Sequence, residues 1–112
     1  MIKAFIKGWK KLHSDSDSKP GYTVYLVEVN NNGRCQTITR RYSEFDELYK
    51  HLRKIAPPSE LPEFPGKHLL NRSSRLIEQR RLALDLYVRG VLLYYGCDLY
   101  SLPSKVVTFL RL

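Results

Sequence analysis

Cysteine is nearly absent from the chain: Cys35 and Cys97 stand far apart, with no Cys-x-x-Cys spacing. That spacing excludes a zinc knuckle and gives no disulfide framework, so a reducing, cytosol-facing compartment is the expectation. Histidine is as sparse. His13, His51 and His68 form no metal-ligand pattern, and the sequence has neither a nucleophile elbow nor a glycine-rich phosphate loop. No enzymatic activity, cofactor or metal is therefore expected. Long hydrophobic runs are missing too. Stretches such as Val91 to Tyr95 fall far below the ~20 residues that cross a bilayer. Met1 to Lys11 alternates lysine with apolar residues and has no continuous apolar region or small-residue cleavage site, so no secretion signal is expected. Acidic residues are outnumbered, 11 against 19 Lys and Arg, which leaves a net charge of +8.

What remains is ordinary globular material. With 112 residues, 43% hydrophobic and 12% aromatic, the chain can bury one core, and a single domain over residues 1–112 is expected. Met1 to Lys11 has the period-two pattern of a strand, with Ile2, Ala4 and Ile6 on one face and Phe5 and Trp9 on the other. His13 to Gly21 is polar and closes on Pro20-Gly21, a loop. Tyr22 to Val29 and Arg34 to Arg41 read as strands two and three. The Asn30-Asn31-Asn32-Gly33 segment between them tolerates positive φ and predicts a hairpin.

The period then changes. Phe45, Leu48, Tyr49, Leu52 and Ile55 form a helical stripe with Ser43 as the expected N-cap, ended by Pro57-Pro58. Leu61 to Lys67 holds two more prolines and a glycine, so its backbone should be extended. A long helix is expected from about Ser74, with Ile77, Leu84, Val88, Val91 and Tyr95 in register and Gly96 as its stop. Pro103 should open a short last helix. Three strands followed by helices give an α+β class: a three-stranded antiparallel β-meander packed against a helical subdomain.

The positive charge is clustered. Arg40 and Arg41 close the third strand, Lys67 ends the proline segment, and Arg72, Arg75, Arg80 and Arg81 follow, with Glu78 the single acid between Phe64 and Leu84. A phosphomonoester carries about −1.5 to −2 charges near neutral pH, and arginine meets its oxygens with planar, bidentate donors. A stretch of solvated surface charge is the plain alternative.

Motif order favours the site. Leu61-Pro62-Glu63-Phe64-Pro65-Gly66-Lys67 fits an apolar-Pro-x-x-Pro-x-Lys signature, Arg40-Arg41-Tyr42-Ser43-Glu44-Phe45 looks like an Arg-Tyr-Ser-acid-Phe motif, and Ile77-Glu78-Gln79-Arg80-Arg81 follows at a suitable distance. Together these segments resemble the phox-homology (PX) domains, with sorting-nexin-like modules the nearest in kind. The resemblance implies a β-meander with a helical subdomain that binds phosphoinositide headgroups, most often phosphatidylinositol 3-phosphate. It implies a cytoplasmic protein, peripheral on endosomal membranes, with a role in trafficking or in recruiting a parent protein. Matched position by position, it implies that Arg41 grips the 3-phosphate and that Tyr42 lies beneath the inositol ring. Lys67 would reach the 1-phosphate, and Arg80 would hydrogen-bond the 4- and 5-hydroxyls. Ser43, Arg40 and Arg81 are candidates for additional headgroup contacts. His68, Leu69, Leu70, Arg72 and Arg75 are candidates for membrane insertion or a basic rim.

Other partners remain open from the residues themselves. A broad anionic-phospholipid binder needs only the charge. A protein-interaction module could use Pro62 to Pro65 as a polyproline ligand, or the helical subdomain. Nucleic acid is not an expected partner, because no nucleic-acid motif accompanies the +8 charge and the 8 tyrosines.

Overall fold

The computed structural model describes residues 1–12, 21–66 and 73–112, and its element order follows the expected one. Strands β1 (Ile2–Leu12), β2 (Tyr22–Asn31) and β3 (Arg34–Arg40) form one antiparallel sheet in the order β1-β2-β3. Helices α1 (Tyr42–Leu52), α2 (Ser74–Tyr95) and α3 (Ser104–Phe109) cover one face, and a short 3-10 turn spans Pro58–Glu60. The β2–β3 hairpin turns on Asn32 and Gly33, whose φ values of 52° and 94° are those that asparagine and glycine tolerate best. The Gly33 amide donates to Asn30 Oδ1 at 2.8 Å and tightens the turn.

A β-bulge in β1 reorganises what strict alternation predicts. Ile6 pairs with Val27 but Gly8 pairs with Leu26, so Lys7 is the extra residue. Beyond it the side chains change face. Trp9 is opposite the buried Tyr25 and packs against the core, whereas Phe5 stays on the other face, so the two aromatics do not share a face as expected. Three side chains of α2 clamp the bulge. Asp85 Oδ1 accepts the Ile6 amide at 2.7 Å, Arg81 Nη1 donates to the Ile6 carbonyl at 2.7 Å, and Glu78 Oε2 accepts the Trp9 indole N–H at 2.8 Å. The backbone groups of Ile6 that β2 does not use are thereby satisfied, as burial demands.

The core lies between the sheet and the helices. Ile2, Ala4, Ile6, Val27 and Val29 meet Phe45, Leu48 and Leu52 of α1, Leu84, Val88 and Val91 of α2, and Val106 and Phe109 of α3. Each such aliphatic side chain contributes about 1.5–3 kcal/mol by leaving water. The stripe of α1 ends earlier than its spacing suggests. After Leu52 the amides of Ile55 and Ala56 both bond the Leu52 carbonyl, which rotates Ala56 inward and leaves Ile55 55% exposed. Helix α2 begins on Ser73, whose side chain accepts the Leu76 amide at 3.3 Å, and stops at Gly96 with φ 94°, as expected. Among the described residues no helix is long and apolar enough to cross a membrane.

The clamp has a pH signature. Hydrogen bonds from Arg81 first, and from Trp9 second, hold the Glu78 carboxyl below its ordinary range. A carboxyl lowered on folding contributes stability that is complete above the ordinary glutamate range and is lost as the pH falls through the lowered value. Fluorescence of Trp9, the chain's single tryptophan, should therefore show an acid inflection below the ordinary glutamate range, and Glu78→Gln should abolish it.

Candidate functional site

The β3–α1 junction turns two consecutive arginines in opposite directions. Arg40, the last residue of β3, points inward and is only 9% exposed. Its Nε donates to the Phe109 carbonyl at 3.0 Å, its Nη1 meets Glu44 Oε2 at 3.3 Å, and its guanidinium lies 5.5 Å from the centre of the Phe109 ring. Burial lowers its pKa, and the Glu44 charge opposes that shift. Arg41 is exposed and serves as the N-cap residue of α1. Glu44 Oε1 accepts the Arg41 amide at 2.9 Å, so one glutamate secures both arginines from the first turn of the helix. Ser43, the expected cap, instead sits within that first turn and is exposed.

Tyr42 joins three elements. Its hydroxyl donates to the Pro65 carbonyl at 2.6 Å, its ring packs against Phe64 at 5.7 Å, and the Arg80 guanidinium lies 4.1 Å from its ring centre. Burial raises its phenol pKa and the Arg80 charge pulls the other way. Arg80 also shares a hydrogen bond with the Tyr25 hydroxyl, whose pKa burial raises. The proline segment is held at two further points. Phe64 stacks on Tyr49 at 4.5 Å with planes 6° apart and meets Tyr87 edge-on at 5.1 Å. Pro62 lies so close to α2 that a Cβ at Gly90 would sit 2.2 Å from its Cγ, which explains a glycine inside a helix.

Arg40, Arg41, Arg80, Arg81 and Arg89 divide into two groups. Arg40 pairs with Glu44, Arg81 with Glu78 at 2.6 Å, and Arg89 with Asp85 at 3.0 Å. Arg41 and Arg80 have no carboxylate partner among the described residues. Each lies over a tyrosine instead, Arg41 over Tyr22 at 4.3 Å and Arg80 over Tyr42. A ring contact, unlike a carboxylate, leaves the charge of a guanidinium uncancelled, and that charge suits a phosphate.

The residues expected at the site thus separate. Tyr42 and Arg80 contact one another beside Tyr25 and Pro65, and Arg41, next to Tyr42 in the chain, lies over Tyr22. Arg40 and Arg81 do not join them: both are engaged in structural bonds, Arg40 to α3 and Arg81 to the bulge of β1. Arg75 is exposed in the first turn of α2. Lys67, His68, Leu69, Leu70 and Arg72 lie outside the described residues. Sequence reading missed Tyr22 and Tyr25 as site residues. Hairpin register was the signal that could have found them, since pairing Tyr25 with Arg40 carries the start of β2 alongside the end of β3.

Comparison with known proteins decides the family. The PX domain family model matches residues 28–111. The chain belongs to the PX domain family. Sorting nexin-24 of Rattus norvegicus is 40% identical over 99 residues, covering 88% of this chain and 54% of that protein. Sorting nexin-22 of Homo sapiens is 41% identical over 91 residues, covering 81% of this chain and 44% of that protein. The chain therefore spans about half the length of the curated relatives it matches. A designed CISK-PX domain superposes with a TM-score of 0.80 at 25% identity, covering 98% of this chain and 99% of that one. The mouse SNX19 PX domain, at 22% identity and a TM-score of 0.69, covers 100% of this chain and 97% of its own and shares the fold. PX domains are non-catalytic modules that bind phosphoinositide lipids and associate peripherally with membranes. A PX-like stretch also occurs in the serine/threonine-protein kinase Sgk3 of Rattus norvegicus, where the match covers 19% of the protein at 34% identity.

The neighbouring arginines should behave oppositely in denaturation. Arg40→Gln removes charged hydrogen bonds and strands a buried carbonyl, which should cost about 1.5–3 kcal/mol in urea unfolding. Arg41→Gln removes an exposed contact and should stay within about 0.5 kcal/mol of the unaltered protein.

Proposed function

We propose that this PX domain, with residues 1–112 working as one module, recognises phosphatidylinositol 3-phosphate and brings a parent protein to endosomal membranes from the cytoplasm. The observation that carries this reading is the pair of guanidinium groups, Arg41 and Arg80, that lie over tyrosine rings without a carboxylate among the described residues. Arg41 takes the 3-phosphate, Tyr42 underlies the inositol ring, and Arg80 bonds the 4- and 5-hydroxyls, which disfavours phosphates at those positions. Lys67, two residues beyond the carbonyl that Tyr42 anchors, is assigned to the 1-phosphate. Arg75 and Arg72 supply a basic rim, and His68, Leu69 and Leu70 enter the interface of the bilayer. Each nearby basic residue adds about 1 kcal/mol against an anionic surface, and a buried leucine about 1.5–3 kcal/mol.

Vesicles that differ only in phosphoinositide isomer test the assignment. The protein should prefer the 3-phosphate isomer, and Arg41→Gln, still folded, should bind at least about tenfold more weakly. Equal binding to all isomers would support a broad anionic-lipid binder instead. A folded Arg41→Gln variant with full affinity would refute the role of Arg41. The insertion step has its own measurement. The double variant Leu69→Asp, Leu70→Asp should lose vesicle binding while keeping its affinity for the soluble headgroup, and undiminished vesicle binding would remove insertion from the mechanism.

A further inference from the structure

We infer that Tyr22 sets the pose of the Arg41 guanidinium, as a positioning residue of the headgroup site. The inference rests on the assignment of Arg41 to the 3-phosphate made above. Tyr22 opens β2, and the register that pairs Tyr25 with Arg40 carries it past the end of β3, where the chain bends into α1. There the Arg41 guanidinium carbon lies 4.3 Å from the ring centre. Tyr22 is 40% exposed, an unusual position for a large aromatic whose only task is to fill a core.

The chemistry of the contact differs from that of a carboxylate support. Carboxylates hold Arg40, Arg81 and Arg89, and each occupies N–H donors and cancels a charge. An aromatic face does neither. A ring against the guanidinium narrows the side chain's freedom without cancelling its charge, which is left for a phosphate. The same device recurs 4.1 Å from Tyr42 under Arg80. Tyr42 belongs to the motif that identifies the family, whereas Tyr22 lies outside all three motif segments. Its hydroxyl plays no part in the stacking, so phenylalanine should serve as well.

Titration of the full chain with the water-soluble headgroup of phosphatidylinositol 3-phosphate tests this. Tyr22→Phe should bind as the unaltered protein does. Tyr22→Leu, with an unchanged unfolding midpoint, should bind about fivefold more weakly. Full affinity in Tyr22→Leu, where Arg41→Gln has lost binding, overturns the role of Tyr22 and leaves the headgroup site standing. A loss confined to vesicles also overturns it, because Tyr22 would then be touching the bilayer. Full affinity in Arg41→Gln overturns the headgroup assignment and this inference with it. If Tyr22→Leu fails to fold, the Arg41 δ-methylene proton resonances of the unaltered protein decide. They should be shifted upfield by the ring and stay shifted with headgroup bound; release on binding overturns the inference.

Discussion

The bond from the Tyr42 hydroxyl to the Pro65 carbonyl is the constraint on which the site depends. It ties the start of α1 to the end of the described proline segment, and the other side of the same residue carries Arg80 from α2. Three elements with no regular secondary-structure pairing between them are thereby registered on one side chain. The aromatic stack of Phe64 with Tyr49 and Tyr87 and the seating of Pro62 on Gly90 add the stiffness that a proline-containing segment needs to hold its course. A segment fixed at three points has itself little entropy left to lose on binding.

Electrostatic pairing separates neighbouring arginines more sharply than position in the sequence does. Adjacent arginines, Arg40 with Arg41 and Arg80 with Arg81, have opposite fates. In each pair one member stabilises packing through a glutamate and a backbone carbonyl, and the other rests on a tyrosine. The acidic residues therefore serve also by which of two adjacent cations they neutralise.

Much of this was legible in the chain. Strand and helix order followed from period and punctuation, Gly96 stopped α2 as its position implied, and three short motifs led to the PX family. The failures have physical causes. Ser43 looked like a cap because hydroxyls usually are, but the Glu44 carboxylate reaches the Arg41 amide and starts the helix earlier. Trp9 was placed on the wrong face because nothing in the sequence of β1 marks Lys7 as a bulge; the cause lies in Asp85 and Arg81, more than 70 residues away. Arg40 and Arg81 were grouped with the ligand contacts because charge alone does not reveal which arginine has found a buried acceptor. Tyr22 went unnoticed because its partner is brought to it by hairpin register.

The clamp on the β1 bulge has a further consequence. The outer border of a sheet is a template onto which a neighbouring chain can add a strand. Along β1 that border is occupied: Ile6 is bonded through both amide and carbonyl to α2, and the Ile2 amide donates to the carbonyl of Cys97. A protein that works crowded in two dimensions meets copies of itself far more often than one in dilute solution. Blunting this border guards β1 itself, at Ile2 and Ile6, against strand addition by a neighbouring copy.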